Sequence, residues 1–161
     1  MIVVVMGVSG AGKTTIGRLL ADQLGWEFLD ADDLHSPENK RKMSHGVALS
    51  DEDRAPWLAS VRDLIEKNIA SDADAVIACS ALKRSYREKI VVDPAKVKIV
   101  YLKGSRELIA QRIAQRRNHF MNNSLLDSQF DALEEPHDAI TVNISGTPQA
   151  ILASILEKLR L

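Results

Sequence analysis

The chain is short of several things at once, and each shortage removes a class of function. It has a single cysteine, Cys79, so no disulfide can close within it, which fits a reducing cytoplasm. Neither charge is in excess: 21 Lys and Arg stand against 22 Asp and Glu, a formal net charge of -1. A general nucleic-acid binder carries an evident basic surplus, so that class is set aside. Long apolar runs are missing too. The opening MIVVVMG runs into glycine after six residues and has no basic lead-in. It reads as a strand, neither a membrane span nor a signal peptide. No repeat, low-complexity tract or Pro/Gly/Ser linker divides the chain. At 161 residues and 45% apolar, residues 1–161 are expected to form one domain with its own core.

What is present is an alternation of short β-branched runs with longer helical patterns, the signature of a parallel sheet covered by helices. Ile2 to Met6 is almost continuously apolar, as in a strand buried on both faces. Ile16, Leu19, Leu20 and Leu24 recur at helical spacing after Thr14. Further strands are expected at Trp26–Asp30, Ala75–Cys79, Lys98–Leu102 and Ile140–Ile144. Further helices are expected at about Asp51–Ala70 behind an N-cap at Ser50, at Lys83–Ile90, at Glu107–Arg116, and from Pro148 to near Arg160 behind Thr147. A short helix falls within the polar stretch Ser36 to Gly46, and Arg117 to Ser124 reads as a loop. The expectation is a three-layer α/β/α domain with a five-stranded parallel sheet and ligands at the carboxyl ends of the strands.

The strongest motif is Gly7-Val8-Ser9-Gly10-Ala11-Gly12-Lys13-Thr14, a full G-x-x-x-x-G-K-[ST] phosphate loop between a strand and an amphipathic helix. Its glycines let successive N–H groups turn inward on phosphate oxygens, and the helix N-terminus adds partial positive charge. Gly7, Ser9, Gly10, Ala11 and Gly12 would form the cradle. Lys13 would reach the β- and γ-phosphates of ATP, the Thr14 hydroxyl would ligate Mg²⁺, and Thr15 would add a phosphate contact.

Two further absences narrow the class. No Asn-Lys-x-Asp is present, so nothing points to guanine recognition. The third strand ends Ala78-Cys79-Ser80, without the usual metal-binding Asp, so a carboxylate from elsewhere must serve. The second strand offers Asp30 and Asp32. If that strand lies beside the first, both emerge near the phosphate loop, and i, i+2 spacing at a strand end points them to one side. One would hold a Mg²⁺ water and the other accept the proton of an attacking hydroxyl. Asp33 is left as a structural residue.

The blocks Asp30-Ala31-Asp32-Asp33-Leu34-His35, then Asn39, Lys42-Met43 and Gly46, and Asp53-Arg54-x-Pro56-Trp57-Leu58 resemble the gluconate kinase family. So do Ser80-Ala81-Leu82-Lys83-Arg84-x-Tyr86-Arg87, Tyr101-Leu102-Lys103-Gly104, His119-Phe120-Met121 and Leu125-Leu126-x-Ser128-Gln129-Phe130. The similarity runs in order along essentially the whole chain. It implies ATP-dependent phosphorylation of D-gluconate at its 6-hydroxyl, a fold like the nucleoside-monophosphate and shikimate kinases, a cytoplasmic setting and a homodimer. Three positions depart from the family pattern. Ala48 replaces a common proline, Asn118 a glycine before the lid histidine, and Val91 an arginine. The last puts one anion contact in doubt.

On that basis the segment of about 36–70 faces the substrate, and about 112–130 forms a lid. Lys42, Arg54, Lys83 and Arg87 are the cations available for the substrate carboxylate, with Arg54 suited to a two-bond fork. Lys and Arg are ordinarily solvated surface charges, so each placement awaits the structure. Asp32 and His35 would hydrogen-bond hydroxyls, with Asp32 aligning the acceptor, and Trp57 reads as core. Arg112 and Arg116 share one helix face. Arg116 would neutralise charge on the transferring phosphoryl group, Arg112 would lie against adenine opposite Pro148, and His119 would be a lid contact. Gln129 and Glu134 would order the segment behind the lid. Rival readings are a kinase for shikimate or another sugar acid, a slow ATP-hydrolysing switch, and a nucleic-acid 5′-kinase. The paired aspartates speak against the switch, and the balanced charge against the 5′-kinase.

Overall fold

In the computed structural model, residues 1–116 and 123–161 are described. Five strands, β1 (Ile2–Met6), β2 (Glu27–Asp30), β3 (Ala75–Ala78), β4 (Val97–Lys103) and β5 (Ile140–Asn143), form one parallel sheet in the order β2-β3-β1-β4-β5. The helices are α1 (Lys13–Leu24), α2 (Pro37–Ser44), α3 (Asp51–Ala70), α4 (Arg84–Ile90), α5 (Arg106–Gln115), α6 (Asn123–Ala132) and α7 (Pro148–Leu159), with a 3₁₀ turn at Ala31–Leu34.

Alternation along the strands builds two cores. Val3, Val5, Val76, Val100 and Leu102 pack on one face against Ile16, Leu20, Ile109, Ile113, Leu126, Ile151 and Ile155. Ile2, Val4, Met6 and Ile77 pack on the other against Trp57, Leu58, Val61, Ile65, Tyr86 and Ile90. This is the expected three-layer arrangement, and central β1 is buried at all five positions. The caps are where the sequence placed them. Ser50 and Asp53 form a reciprocal capping box at the start of α3, and the Thr147 side chain accepts from Ala150 N ahead of Pro148.

One expectation is corrected. Strand β2 does not lie beside β1, because β3 pairs with both and separates them. The first crossover skips a strand position, and the chain returns to fill it. The register still keeps the acidic end level with the phosphate loop, since Ala78 pairs with Asp30 on one side and Val5 on the other. Two strand spacings, roughly 10 Å, are then bridged by α1, which lies close over β2. That approach needs Gly17: a Cβ there would sit 2.7 Å from Phe28 Cε2.

Alanine ordinarily improves a helix over glycine by about 1 kcal/mol. Gly17→Ala is expected to do the reverse and lower the denaturation midpoint, whereas in a Phe28→Ala background the same change should raise it. Urea unfolding of the four chains checks this; stabilisation by Gly17→Ala alone would contradict the close approach.

Candidate active site

The phosphate loop leaves central β1 and enters α1. Gly10 and Gly12 have φ of 84° and 96°, in the left-handed region that favours glycine. A Cβ at Gly10 would also meet Ile113 of α5 at 2.7 Å, so the loop is seated on the helix that carries Arg112 and leads to Arg116. Gly12 caps α1 with no side-chain bond to the first turn, which leaves N–H groups there for an anion. Gly7, Ser9 and Ala11 complete the turn, and the Ala11 amide bonds Val8 O at 3.1 Å.

Lys13 Nζ donates to Val8 O at 3.1 Å. Burial pulls its ammonium below the ordinary lysine value, Asp32 and more weakly Asp30 draw it back up, and Arg116 adds a push downward. Charged groups from three other elements, β2, the 3₁₀ turn and the end of α5, thus act on Lys13. Asp30 Oδ2 accepts from Thr14 Oγ1 at 3.2 Å, and its other oxygen accepts from Asp32 N at 3.0 Å. Asp32 therefore sits on the 3₁₀ turn that Asp30 caps, and the two carboxylates are gathered by a turn, not by strand alternation. Burial pushes the Asp32 carboxyl above its usual range, against the pull of Lys13, with Asp30 and Asp33 adding to the rise. The residue is nonetheless exposed to solvent, which screens these effects. Thr15 and Asp33 are exposed.

A cleft of about 400 Å³ opens from this corner, walled by Ser9, Lys13, Asp32, His35, Arg54 and Gln129 among others. Ala48 and Trp57 also face it. Trp57 is buried and gives its indole N–H to Ala31 O at 2.7 Å, so the expected core residue doubles as cleft wall. Arg54 donates to the Tyr86 hydroxyl at 3.2 Å and lies 5.6 Å from that ring's centre. The Tyr86 hydroxyl in turn donates to Asp51. The guanidinium is held from one side and keeps further donors for a ligand.

The other cations placed at the acid site stand apart from the cleft wall. Arg87 is buried and donates to Ala81 O, Leu82 O and Glu134 O at 2.9, 3.0 and 2.7 Å. It clamps three carbonyls of adjoining loops. Lys83 pairs with Asp51 at 2.9 Å and Lys42 with Asp53 at 3.0 Å. An anion would have to break these bonds to recruit any of the three.

On the far side, Arg112 donates to Ile144 O, tying α5 to the loop that leads into Pro148 at the start of α7. Arg116 ends α5. His119 and the stretch 117–122 lie outside the described residues. Gln129 does more than order its own segment: its Oε1 accepts from Ser9 N at 2.6 Å, on an amide of the phosphate loop itself. Glu134 accepts from Arg84 N at 3.1 Å. The contacts of Tyr86 and Gln129 join residues 32 and 120 positions away, and no local pattern announces them.

Oxygen donors alone, the Thr14 hydroxyl and Asp30, suit Mg²⁺ held partly by phosphates. Among the described residues no cluster of three or more His, Cys, Asp or Glu could hold a metal by itself. Nor, among them, is any helix long and apolar enough to cross a membrane.

Comparison with known proteins places these features in context. A family model described as Shikimate kinase matches residues 9–160. A probable gluconokinase of Mus musculus is 42% identical, covering 99% of this chain and 97% of that protein. The gluconokinase of Gluconobacter oxydans (strain 621H) is 45% identical over 95% of this chain and 88% of that protein. The crystal structure of a gluconokinase from Sinorhizobium meliloti 1021 is 42% identical and superposes with a TM-score of 0.89, covering 98% of this chain and 90% of that one.

The cleft histidine carries a pH signature. Burial, with Arg54 and Lys40 adding to it, lowers His35 from 6.5 to about 4. As pH falls below 6.5 the unfolded chain takes up a proton that the folded chain refuses, so folding stability drops until about pH 4 and this contribution then levels off. His35→Gln should therefore lose stability less steeply between pH 6.5 and 4 in denaturant titrations. A slope equal to that of the parent would contradict a neutral, buried imidazole.

Proposed function

Because the chain belongs to the gluconokinase family of P-loop kinases, we propose that it transfers the γ-phosphoryl group of ATP to the 6-hydroxyl of D-gluconate, giving 6-phospho-D-gluconate and ADP. The observation that carries this reading is one cleft in which Lys13 and Asp32 adjoin Arg54 and His35. Phosphate-side charge and acid-binding charge meet across a space sized for a small polyol. The reading includes a homodimer of one-domain subunits in the cytoplasm, which rests on the family resemblance.

The chemistry follows from what each group holds. The loop amides and Lys13 receive the β- and γ-phosphates, and Arg116, close enough to act on Lys13, adds positive charge where the phosphoryl group passes. Magnesium, held through Thr14 and Asp30, supplies neutralisation of the phosphate oxygens when bound. Arg54 takes the substrate carboxylate, which fixes the far end of the chain and lays the terminal hydroxyl toward Asp32. The acceptor oxygen forms its bond to phosphorus as the bond to ADP breaks, and the hydroxyl proton passes to Asp32. The raised carboxyl of Asp32 makes it a better proton acceptor than an ordinary aspartate. The amide of Ser9 taken by Gln129 is one that phosphate would claim, so nucleotide entry and the position of α6 are linked.

ADP release measured with gluconate, with shikimate and with no acceptor tests the reading. Gluconate should raise the rate well above the other two, and an acceptor-independent rate would overturn it. Arg54→Ala should raise the KM for gluconate by roughly ten- to a hundredfold, the range of a lost charged hydrogen bond, and leave that for ATP almost unchanged. Equal effects on both would remove Arg54 from the acid site.

A further inference from the structure

Hydrogen bonds behind the cleft wall reach a cleft residue, His35. Asn39 and His35 are 6% and 7% exposed. The Asn39 side chain lies 2.8 Å from Asp53 O. A backbone carbonyl can only accept, so the Asn39 atom facing it is the amide nitrogen, Nδ2. The same Nδ2 lies 3.4 Å from His35 Nδ1. Its second hydrogen points to that ring nitrogen, which must then be bare. A neutral imidazole with a bare Nδ1 carries its proton on Nε2. Among the described residues no buried side-chain nitrogen or oxygen lacks a partner. Among them Nε2 makes no hydrogen bond, so it opens to the cleft that His35 lines.

The ring's plane is set independently. His35 stacks on Trp57, with centroids 4.3 Å apart and planes 11° from parallel, and Trp57 is itself pinned to Ala31 O. The Asp53 that orients Asn39 is fixed by its capping box with Ser50 and its pair with Lys42. A rigid chain of bonds therefore runs from the start of α3 through Asn39 of α2 to one imidazole. The cations Arg54 and Lys40 act against a second proton on the ring.

We propose that Asn39 is a positioning residue that holds His35 as a neutral Nε2–H donor, so that this wall of the acceptor site recognises a ligand oxygen that accepts a hydrogen bond. The inference rests on reading the cleft as the acceptor-alcohol site and deepens it. A hydroxyl whose own proton goes to Asp32 retains lone pairs for His35. A polyol presents such oxygens along its length, whereas a ligand group that can only donate would leave both donors unpaired and be rejected.

The test is nitrogen-correlated NMR of the histidine rings in the full chain near pH 7, with the His35 signals assigned by their loss in His35→Gln. The expected result is a proton on Nε2 and a bare Nδ1; a proton on Nδ1 overturns the proposal whatever the activity. Asn39→Ala should admit the Nδ1–H form and raise the gluconate KM by about three- to tenfold, the range of one neutral hydrogen bond, with kcat and the KM for ATP nearly unchanged. His35→Gln, whose amide nitrogen reaches the Nε2 position, should keep a gluconate KM nearer the parent than His35→Ala does. An unchanged tautomer and KM in Asn39→Ala would overturn the positioning role. If Asn39→Ala fails to fold, the parent spectrum and the His35 pair decide. Nε2–H in the parent with no turnover of gluconate would support the histidine assignment and remove gluconate as the acceptor.

Discussion

The site depends on one electrostatic arrangement: an ammonium, Lys13, drawn below its ordinary value by burial and held up by Asp32 and Asp30. A lysine in that position is costly unless opposite charge stands near. The carboxylates that supply it come from the end of β2 and the turn beyond, a strand that does not even touch β1. Close packing of α1 over β2 at Gly17 and the level register through Ala78 bring the two together. The fold thus gathers the Lys13 ammonium and the carboxylates of Asp30 and Asp32 within one corner.

The substrate half is built differently. Its cleft side chains are held by their neighbours: Arg54 by Tyr86, which Asp51 holds in turn, and His35 by Asn39 behind the wall and by Trp57 stacked beside it. Geometry there is set by α2, α3 and α4, while the phosphate half is set by β1, α1 and α5. Gln129 reaches from α6 onto the loop amide of Ser9, so this helix is in contact with the phosphate cradle.

Local signals in the sequence carried most of the fold. The buried run of β1, the loop glycines, the Ser50 and Thr147 caps and the helical spacing of Ile16 and Leu20 each depend on near neighbours, and each element appears where expected. Strand order did not follow, because the choice of which side a crossover takes is a packing decision between distant segments. The same limit governed the cations. Arg87, Lys83 and Lys42 have the right charge and sit in the right blocks, yet their partners are carbonyls and carboxylates brought in by the fold. Arg54 differs only in that Tyr86 holds it at the cleft, and spacing alone could not separate it from the others. Asn39 carries no charge and gave no chemical signal of its own, though the bond it makes sets the character of His35.

The account turns on Asp32 taking the acceptor's proton beside Lys13. The most direct measurement is the single-turnover rate of phosphoryl transfer in Asp32→Asn, with ATP and gluconate both saturating. The rate should fall by about a hundredfold to ten-thousandfold, the range for loss of a general base, while both ligands still bind. A rate near that of the parent would contradict the central claim.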